Sequence, residues 1–589
     1  MMNIIKSVSM YGSYMYFNKR VIKKRVGKEI VEEDALCLKS DHGRSVGRDH
    51  IINTKNVLQF IPLINNEKIK YEYLTNYNMV SMLYDKSRID ITYANDETVL
   101  IRGKGNDLSL IIDNMPLDNM NRDRIIKLRK PTGEVYYIIN SYKSQTIYIV
   151  YATKGEIELE QNYLKEIYDL EGHNVLSRIH IKPVDSEFQI VIREVDHNLR
   201  EVDLIHYDFD KCANEMLNSF EEFFKKFPTP QEEWYEIYKT AVYYIWSCVN
   251  KKRGYYSKDV ISMGTEIAGN WNSNISYAAQ SLYKADPRLM IDQIEVFFDF
   301  QDDLGGIPGP INDDGARWNF IKTASQGYFL KKAMENYQMS DEEKLYIYNH
   351  VSSFVEFWLK YKDSNQDGIC EYFQGYETGL DNATVFDYDQ AVDSPDCTAY
   401  LIKTIEFLSE IANEIEKIDE AKKWSQLADE LTEKALNYFV QDGRLVARLS
   451  WDGTIVESKS FILYFFLILG ERIPLELRER LIQNLKDDLV TPFGIASEPI
   501  YSPKYCGTAM RGPIWYHTSV IIDGVDACGY HSLAKQLAYN YCHTIRENGL
   551  GVAFDSKTGK STSANVTNQI NNGATGSFLY LYQKYILDI

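Results

Sequence analysis

The sequence predicts a multidomain protein in which an N-terminal antiparallel β-sandwich is followed by an all-α domain. Three observations support this fold class. The chain has 589 residues, of which 44% are apolar and 13% aromatic, enough for more than one hydrophobic core. Its first third alternates apolar and polar residues with the period of a β-strand, and the remainder follows helical spacing. We therefore expect two structural domains joined by a connector.

Residues 1–206 are assigned to the β-sandwich because short β-rich runs alternate with turn residues and no helical spacer separates them. Representative runs are "RIDITYANDETVLIRGKGNDLSLIID", "SQTIYIVYATKGEIELEQ" and "RIHIKPVDSEFQIVIREV". Residues 207–230 form a predicted helical linker, since "DKCANEMLNSFEEFFKKF" has helical spacing and Pro228 and Pro230 then interrupt the chain.

Residues 231–589 contain about a dozen predicted helices, identified from apolar spacing alone. They are expected near 231–250, 273–284, 288–301, 318–337, 341–361, 394–415, 418–440, 457–469, 475–486, 512–527, 529–546 and 573–586. Long loops rich in Gly, Trp, Tyr, Asp and Glu follow every second helix. A closed ring of helical hairpins explains this pattern, with the loops converging on a funnel at one end.

Composition excludes several partners and predicts a cytoplasmic protein. The net charge of −19 and the scattered basic residues argue against nucleic acid. No apolar run reaches the roughly 20 residues that span a bilayer, and the N-terminus lacks the apolar core of an export signal, so neither a membrane nor secretion is expected. The eight cysteines form no CxxC pair, which disfavours disulfides and zinc.

The segment "GYETGLDN" places Glu377 and Asp381 among glycines and an aromatic residue. Cleavage of a glycosidic bond needs one carboxyl group that protonates the leaving oxygen and one carboxylate that activates water or attacks the sugar. Two carboxylates in an aromatic funnel suit that chemistry. The competing interpretation is that both are solvated loop residues.

Six segments occur in one particular order: "NWNSNISY", "DGICEYFQGYETGLDN", "VDSPDCTAYL", "TPFGIASEPIYSPKY", "MRGPIWYHTSVIIDG" and "DSKTG". As an ordered set they resemble glycoside hydrolase family 63 and its amylo-α-1,6-glucosidase-like and trehalase-like relatives, over roughly residues 260–589. The resemblance implies an (α/α)6 barrel, a carbohydrate substrate and no organic cofactor.

The resemblance also implies roles for individual residues. Asp381 matches the family's general acid. The predicted substrate contacts are Trp271, Asn272, Trp318, Glu377, Asn382, Glu498, Arg511 and Trp515. Arg offers a planar fork of donors and Trp a stacking face, although a tryptophan in this pattern also suits a hydrophobic core.

The sequence departs from the family pattern where the general base is expected. Relatives carry a glutamate there, and Val552 in "VAFDSKTG" takes its place. Valine accepts no proton, so the base must lie elsewhere if hydrolysis is retained. The substitutes we consider are Glu547, which we assign as the catalytic candidate, and Glu498. A charged residue closing a helix is the favoured alternative for Glu547, and Glu498 better suits an acceptor for a ligand hydroxyl group. Asn272 likewise replaces an aspartate of relatives.

The run "DSNQDGICE" resembles the first half of a calcium loop, with oxygen ligands at Asp363, Asn365 and Asp367. The closing glutamate is absent, because position 374 is a glutamine, so a solvated Asp-Gly turn is the favoured interpretation. We expect no metal at the candidate active site.

The sequence thus predicts an exo-acting, inverting glycosidase for a short α-linked glycoside or oligosaccharide. Two alternatives stay open: a carbohydrate-binding protein that has lost hydrolysis, and a sugar epimerase or lyase on the same barrel. Homo-oligomerisation is compatible with the sequence.

Overall fold

A computed structural model describes the greater part of the chain. The described residues are 5–26, 29–41, 55–114, 124–141, 146–161, 167–168, 173–174, 177–195, 202–264, 270–272, 274–508, 510–562 and 571–588. All structural statements below concern these residues.

The region predicted to be a β-sandwich is built from strands. In chain order they are β1 (Ser7–Val8), β2 (Met15–Val26), β3 (Glu29–Ser40), β4 (Lys55–Ile64), β5 (Glu67–Lys68), β6 (Glu72–Asn76), β7 (Met79–Tyr84), β8 (Ser87–Asn95), β9 (Thr98–Lys104), β10 (Leu108–Asn114), β11 (Arg124–Arg129), β12 (Val135–Ser141), β13 (Thr146–Lys154), β14 (Glu156–Gln161), β15 (Ile167–Tyr168), β16 (His173–Asn174), β17 (Ser177–Lys182) and β18 (Glu187–Val195).

These strands form two antiparallel sheets. One has the order β14-β17-β10-β4-β3-β2-β15-β16, with β1 added on β2 and β5 on β4, and the other runs β11-β12-β13-β18-β9-β8-β7-β6. Their apolar faces share one core, in which Phe17 of β2 and Tyr93 of β8 meet edge-on with ring centroids 6.0 Å apart. The predicted β-sandwich is therefore confirmed.

The rest of the chain is mainly helical. The α-helices are α1 (Phe209–Phe224), α2 (Tyr235–Ser247), α3 (Asn274–Ala279), α4 (Pro287–Glu295), α5 (Gln326–Met334), α6 (Asp341–Tyr361), α7 (Pro395–Glu414), α8 (Ile418–Phe439), α9 (Leu475–Asp488), α10 (Thr518–Ala527), α11 (His531–Asn548) and α12 (Asn572–Leu581). Tyr582–Ile586 continues α12 as a π-helical turn, and Phe461–Arg472 forms 3₁₀ turns.

Short strand pairs lie in the loops between these helices. They are β19 (Val249–Asn250), β20 (Val260–Ile261), β21 (Asn270–Trp271), β22 (Pro310–Asn312), β23 (Gly315–Ala316), β24 (Glu371–Tyr372), β25 (Val392–Asp393), β26 (Val440–Gln441), β27 (Arg444–Leu445), β28 (Ala447–Leu449), β29 (Ile455–Val456), β30 (Val490–Thr491), β31 (Gly494–Ile495), β32 (Ile514–Trp515) and β33 (Ala553–Phe554).

Helix α6 shows why some boundaries are predictable. The side chain of Ser340 accepts a hydrogen bond from the Glu343 amide, and Glu343 accepts one in return from the Ser340 amide. This capping box satisfies two backbone donors at the helix start through residues three apart in sequence. The predicted range 341–361 is accordingly the observed one.

Three predicted helices need correction because tertiary contacts override apolar spacing. Residues 318–325 form a loop, and α5 begins only at Gln326. The stretch predicted to start a helix at 512 contains strand β32, which pairs with β33. The apolar run predicted as a helix at 457–469 adopts 3₁₀ turns, with a break at Gly470. The first residue of the predicted helix 273–284 lies outside the described residues.

The β-sandwich is fastened to the start of the helical region. The Gly12 amide donates to the Val249 carbonyl at 2.8 Å, and the Asn250 side chain donates to the Ser13 carbonyl at 2.9 Å. Helix α1 lies on the sheet formed by β6–β9, where the Arg102 guanidinium covers the Phe209 ring at 4.0 Å. The predicted domain limits at 206 and 230 stay predictions.

Glycines permit close approach at three helix contacts. A Cβ atom added to Gly576 of α12 would lie 2.4 Å from the carbonyl oxygens of Tyr277 and Ala278 in α3. Gly327 of α5 similarly meets the backbone of α7, and Gly524 of α10 meets the 3₁₀ segment Phe461–Arg472. Helix α3 and the last α-helix of the chain therefore pack backbone to backbone.

A buried carboxylate joins three of these helices. Asp523 of α10 accepts hydrogen bonds from Tyr328 at 2.7 Å and Lys332 at 2.6 Å, both in α5. It also accepts bonds from Tyr580 in α12 at 2.9 Å and from Lys584 in the following π-turn at 3.0 Å. These cations hold the pKa of Asp523 well below its usual range. The carboxylate thus fixes α5, α10 and α12 relative to one another.

All eight cysteines are free thiols, and only Cys506 is exposed. Within the described residues, no helix combines the length and apolar composition needed to cross a bilayer.

We expect Gly576→Ala to lower the free energy of unfolding by about 1–3 kcal/mol, because its new methyl group would overlap the backbone of α3. Urea titration followed by circular dichroism measures the change. Gly576→Val should lose more than Gly576→Ala. Equal stability of Gly576→Ala and the native chain would show that α3 and α12 are not in this close contact.

Candidate active site

Glu377 is a buried anchor of the loop that carries Asp381. Its side chain is 2% exposed. One carboxylate oxygen accepts a hydrogen bond from Lys362 at 2.5 Å, and the other accepts one from the Phe373 amide at 2.6 Å. The Lys362 ammonium also lies 3.4 Å from the centroid of the Phe373 ring. The ion pair therefore links the end of α6 to the segment that follows β24.

The loop presents Asp381 toward solvent. Gly379 has φ +81°, which favours glycine, and a Cβ atom on Gly375 would lie only 2.0 Å from the Asp381 carbonyl oxygen. Leu380 is fully buried, whereas Asp381 and Asn382 are exposed. Two glycines and one buried leucine thus turn the chain so that the predicted general acid lies at the surface of the loop.

Arg511 connects this loop to a second one. Its Nε donates to the Asn382 carbonyl at 2.9 Å, and its terminal nitrogen forms an ion pair with Asp387. The Met510 amide donates to the Asn382 side chain at 3.0 Å, and Lys504 adds a second cation beside Asp387 at 3.0 Å. Asn382 and Arg511, both predicted as substrate contacts, therefore hold one another in place.

Glu498 lies behind the same loop. It is 1% exposed, and its two oxygens accept hydrogen bonds from Ser502 at 2.6 Å and Thr384 at 2.9 Å. Burial raises the pKa of Glu498, although the neighbouring Lys504 and Arg511 partly oppose that effect. Glu498 is thus hydrogen-bonded to Thr384, which follows Asn382 by two residues in the same loop.

Trp515 and Val552 lie at one pair of short strands. Trp515 of β32 is opposite Ala553 of β33, and Val552 directly precedes Ala553 in sequence. Both Trp515 and Val552 are largely buried. Trp515 therefore lies in a strand and not at a helix start as predicted.

Trp271, Asn272 and Trp318 occupy two different environments. Trp271 is half-buried in β21, and Asn272 is buried after it, with its side-chain oxygen accepting from Gln326 at 3.1 Å. Trp318 is 45% exposed in the loop before α5. That loop contacts the Asp381 loop, because Gln374 donates to the Asn319 carbonyl and the rings of Phe320 and Tyr376 stack.

Glu547, the substitute base considered above, lies apart from this cluster. It is at the last turn of α11 with 57% of its side chain exposed, and its charged neighbours are Arg546 at 3.3 Å and His543 at 3.8 Å, both in α11. Among the described residues, no hydrogen bond or ion pair joins Glu547 to the loops that carry Asp381, Glu498 or Arg511.

The predicted calcium turn closes through its own backbone. The Asp363 carboxylate accepts from the amides of Asp367 at 3.0 Å and Gly368 at 2.8 Å, and the Asn365 side chain also accepts from the Asp367 amide. In the part of the chain that is described, no group of three or more His, Cys, Asp or Glu residues is arranged to hold a metal. The solvated Asp-Gly turn, which the sequence favours over a calcium site, stays a prediction.

Sequence reasoning missed a set of buried polar residues that we call the polar floor: Lys322, Ser325, Gln326, His517 and Thr518. All are at most 3% exposed. They lie just before α5 or at the N-terminal ends of α5 and α10, two helices that Asp523 joins. No periodicity marks a lysine or a histidine as buried in the sequence, so the only available signal was the polar composition of "KTASQ" and "HTS".

The polar floor lies in the electrostatic field of the Asp381 loop. Burial lowers the pKa of Lys322 to about 8, and the charges of Asp381 and Glu377 oppose that decrease. Burial lowers the pKa of His517 to about 3, with a further decrease from Lys322, so the imidazole is neutral near pH 7. The ring of His517 stacks on Tyr516 at 4.1 Å.

The two-domain architecture, the exposed carboxylate and the aromatic and polar side chains around it define the class as a glycosidase. The model of the mannosylglycerate hydrolase MGH1-like glycoside hydrolase domain matches residues 268–569, slightly more than half the chain. The chain belongs to this family, and the predicted resemblance to family 63 is confirmed. None of the curated protein sequences matches the chain.

Solved structures show the same fold at low sequence identity. A bacterial glucoamylase complexed with acarbose is 11% identical with a TM-score of 0.64, covering 99% of this chain and 93% of its own. The family GH92 glycosyl hydrolase ccman5 is 11% identical with a TM-score of 0.57, covering 98% and 85%. The GH63 mannosylglycerate hydrolase from Thermus thermophilus, in complex with glucose, is 14% identical with a TM-score of 0.51, covering 59% and 100%.

We expect Lys362→Met to destabilise the protein by about 3–5 kcal/mol, because Glu377 would keep a buried charge without its cation. Urea denaturation of the single variant and of Lys362→Met/Glu377→Gln measures the effect. The double variant should recover a large part of the loss. A single variant no less stable than the double one would rule out an ion pair that anchors this loop.

Proposed function

We propose that the protein hydrolyses a short α-linked glycoside or oligosaccharide from its chain end, with inversion of configuration and with Asp381 as general acid. The observation that carries this proposal is the presentation of Asp381: an exposed carboxyl group on a loop anchored by the buried Glu377–Lys362 pair and braced by Arg511. A general acid must reach the glycosidic oxygen and must be held in a fixed position. Asp381 meets both requirements.

The domain architecture supports a funnel-shaped active site. We propose that the helices α2–α12, with the 3₁₀ segment Phe461–Arg472, pair as hairpins of an (α/α)6 barrel. The likeness to a bacterial glucoamylase over nearly the whole chain supports this arrangement. Loops that precede α3, α5 and α10 would then converge at one end. The loops before α5 and α10 contact the Asp381 loop, and the loop before α3 contacts Gln326 of α5. A funnel of this kind favours the end of a sugar chain over its interior.

The general base that activates water is proposed to be Glu498. Inverting hydrolysis needs a carboxylate to activate water, and Val552 supplies none. Of the two substitutes, Glu498 accepts a hydrogen bond from Thr384 in the Asp381 loop, whereas the charged neighbours of Glu547 among the described residues both lie in its own helix. Burial raises the pKa of Glu498, which makes its carboxylate a stronger base than a solvated one. Its role requires water to reach it beside Ser502.

A second candidate function is carbohydrate binding without turnover. Val552 favours it, since this largely buried apolar residue takes the position at which the family resemblance expects the catalytic base. A change of reaction to epimerisation or elimination on the same barrel is the remaining alternative.

We expect the purified protein to consume at least one member of a panel of α-linked di- and oligosaccharides, including mannosyl and glucosyl glycosides. Anomeric NMR should show that the β-anomer of the released sugar appears first, because inversion converts an α-linkage to a β-product. Asp381→Asn should lower kcat/KM by about 10²- to 10⁴-fold while leaving ligand binding intact. If a sugar binds but no substrate is turned over, the hydrolase proposal is wrong and the protein is a carbohydrate-binding protein.

Glu498→Gln and Glu547→Gln form a matched pair for the base. Each removes one charge and keeps the shape of the side chain. We expect Glu498→Gln to lower kcat by about 10²- to 10⁴-fold and Glu547→Gln to change it little, because only Glu498 contacts the Asp381 loop. Azide added to the impaired variant tests for restored product formation. The reverse ranking would assign water activation to Glu547.

A further inference from the structure

The buried polar side chains of the polar floor destabilise the fold when no ligand is bound. Lys322 is 2% exposed and His517 fully buried. Among the described residues, neither nitrogen of His517 has a hydrogen-bond partner, and no carboxylate forms an ion pair with Lys322 within 4.0 Å. Buried polar groups are normally paired, and a buried group left without a partner destabilises a protein. Residues that weaken the fold in this way are expected where a ligand completes their contacts.

Other side chains of the polar floor also have polar atoms without a partner among the described residues. In the described part of the chain, the hydroxyl groups of Ser325 and Thr518 and the side-chain oxygen of Gln326 also have no hydrogen-bond partner. Ser325 directly precedes α5, yet its side chain does not cap that helix. Several unpaired atoms on the segments that begin α5 and α10 therefore share one region of the fold.

The atoms of the polar floor identify the chemistry of the ligand. Lys322 only donates hydrogen bonds, and the Gln326 oxygen only accepts them. A neutral imidazole offers one donor and one acceptor, and the two hydroxyl groups do both. A carboxylate would satisfy the donors but not the acceptors. Sugar hydroxyl groups donate and accept at once, so they fit the whole set.

We propose that the polar floor binds hydroxyl groups of the terminal sugar, with Lys322 and His517 as its principal contacts. This inference rests on the proposed function only in placing a sugar above the floor; it assigns residues that the resemblance did not. Lys322 donates to one hydroxyl group of the sugar, and His517 holds another by its ring nitrogen. The amide of Thr323, next to Lys322, donates to the Glu377 carbonyl at 3.2 Å, so the polar floor adjoins the loop that carries Asp381 and the sugar would lie between them.

Lys322→Met and His517→Phe test this role, because each keeps the approximate shape and removes the polar atoms. Full-length protein carrying Asp381→Asn serves as the parent, so that bound sugars are not consumed. Calorimetric titration uses D-glucose, D-mannose, their methyl α-glycosides, the α-linked disaccharides maltose and trehalose, and D-glucuronate. We expect at least one neutral sugar to bind, and each substitution to weaken it by about 10- to 100-fold.

Deoxy analogues of the bound sugar connect each side chain to its hydroxyl group. The analogue that lacks the hydroxyl bound by Lys322 should bind the parent as weakly as the complete sugar binds Lys322→Met, and should lose nothing further in that variant. Equal losses in both proteins for every deoxy analogue would show that Lys322 touches no hydroxyl group, which overturns the proposal.

The melting temperature separates a binding role from a structural one. Lys322→Met and His517→Phe should melt at the same temperature as the parent or higher, since each removes a buried polar group that has no partner. Lys362→Met is the matched control, because this second buried lysine has an ion pair and its loss should lower the melting temperature. Melting of Lys322→Met as low as that of Lys362→Met would make Lys322 structural and overturn the proposal.

The remaining outcomes are also decisive. Binding of D-glucuronate alone would make the floor a carboxylate site, and the absence of binding by every sugar would remove the ligand; both contradict the proposal. Turnover is measured separately on protein with native Asp381. Sugar binding that depends on Lys322 without any turnover would disprove hydrolysis and support sugar binding by the polar floor. Turnover that Lys322→Met does not change would support hydrolysis and disprove the role of the polar floor.

Discussion

The carboxylate of Asp523 is the contact on which the geometry of the candidate site depends. It accepts hydrogen bonds from side chains of α5 and α12 while itself belonging to α10, so one buried charge sets the relative position of three helices. The N-terminal ends of α5 and α10 carry Gln326 and Thr518 of the polar floor. A rotation of either helix would move the polar floor, and the largely buried contacts of Asp523 oppose such a rotation.

Two buried lysines, Lys362 and Lys322, differ in their ion-pair partners among the described residues. Lys362 has Glu377 at 2.5 Å and a phenylalanine ring beneath its ammonium, so its cost of burial is offset within the protein. Lys322 has no ion pair of this kind among the described residues, and burial lowers its pKa to about 8. The first lysine stabilises the loop of Asp381 and the second remains available to a ligand. Lys362 thus has a structural role, and Lys322 is the proposed ligand contact.

Local interactions made much of the fold predictable from the sequence. The start of α6 follows from its capping box, and the apolar–polar alternation of strands β2–β18 follows from the two faces of a sandwich. The errors fall where distant segments decide the structure. Trp515 lies in a strand because Ala553 pairs with it, and residues 318–325 stay non-helical around a buried lysine. The family motifs located Asp381, Asn382, Glu498 and Arg511 in one region, whereas burial of Lys322 and His517 leaves no periodic pattern to detect.

The exposed thiol of Cys506 provides a site for a fluorescent label on the loop that contains Arg511. Its backbone amide donates to the Arg511 carbonyl at 3.0 Å, and Arg511 in turn braces Asn382 beside Asp381. The other seven cysteines are buried, and burial raises the pKa of thiols such as Cys248 and Cys528 to about 12. A maleimide dye would therefore attach at one position of the native sequence without mutagenesis. Its emission and anisotropy would follow in real time how the brace around Asp381 responds when a sugar arrives.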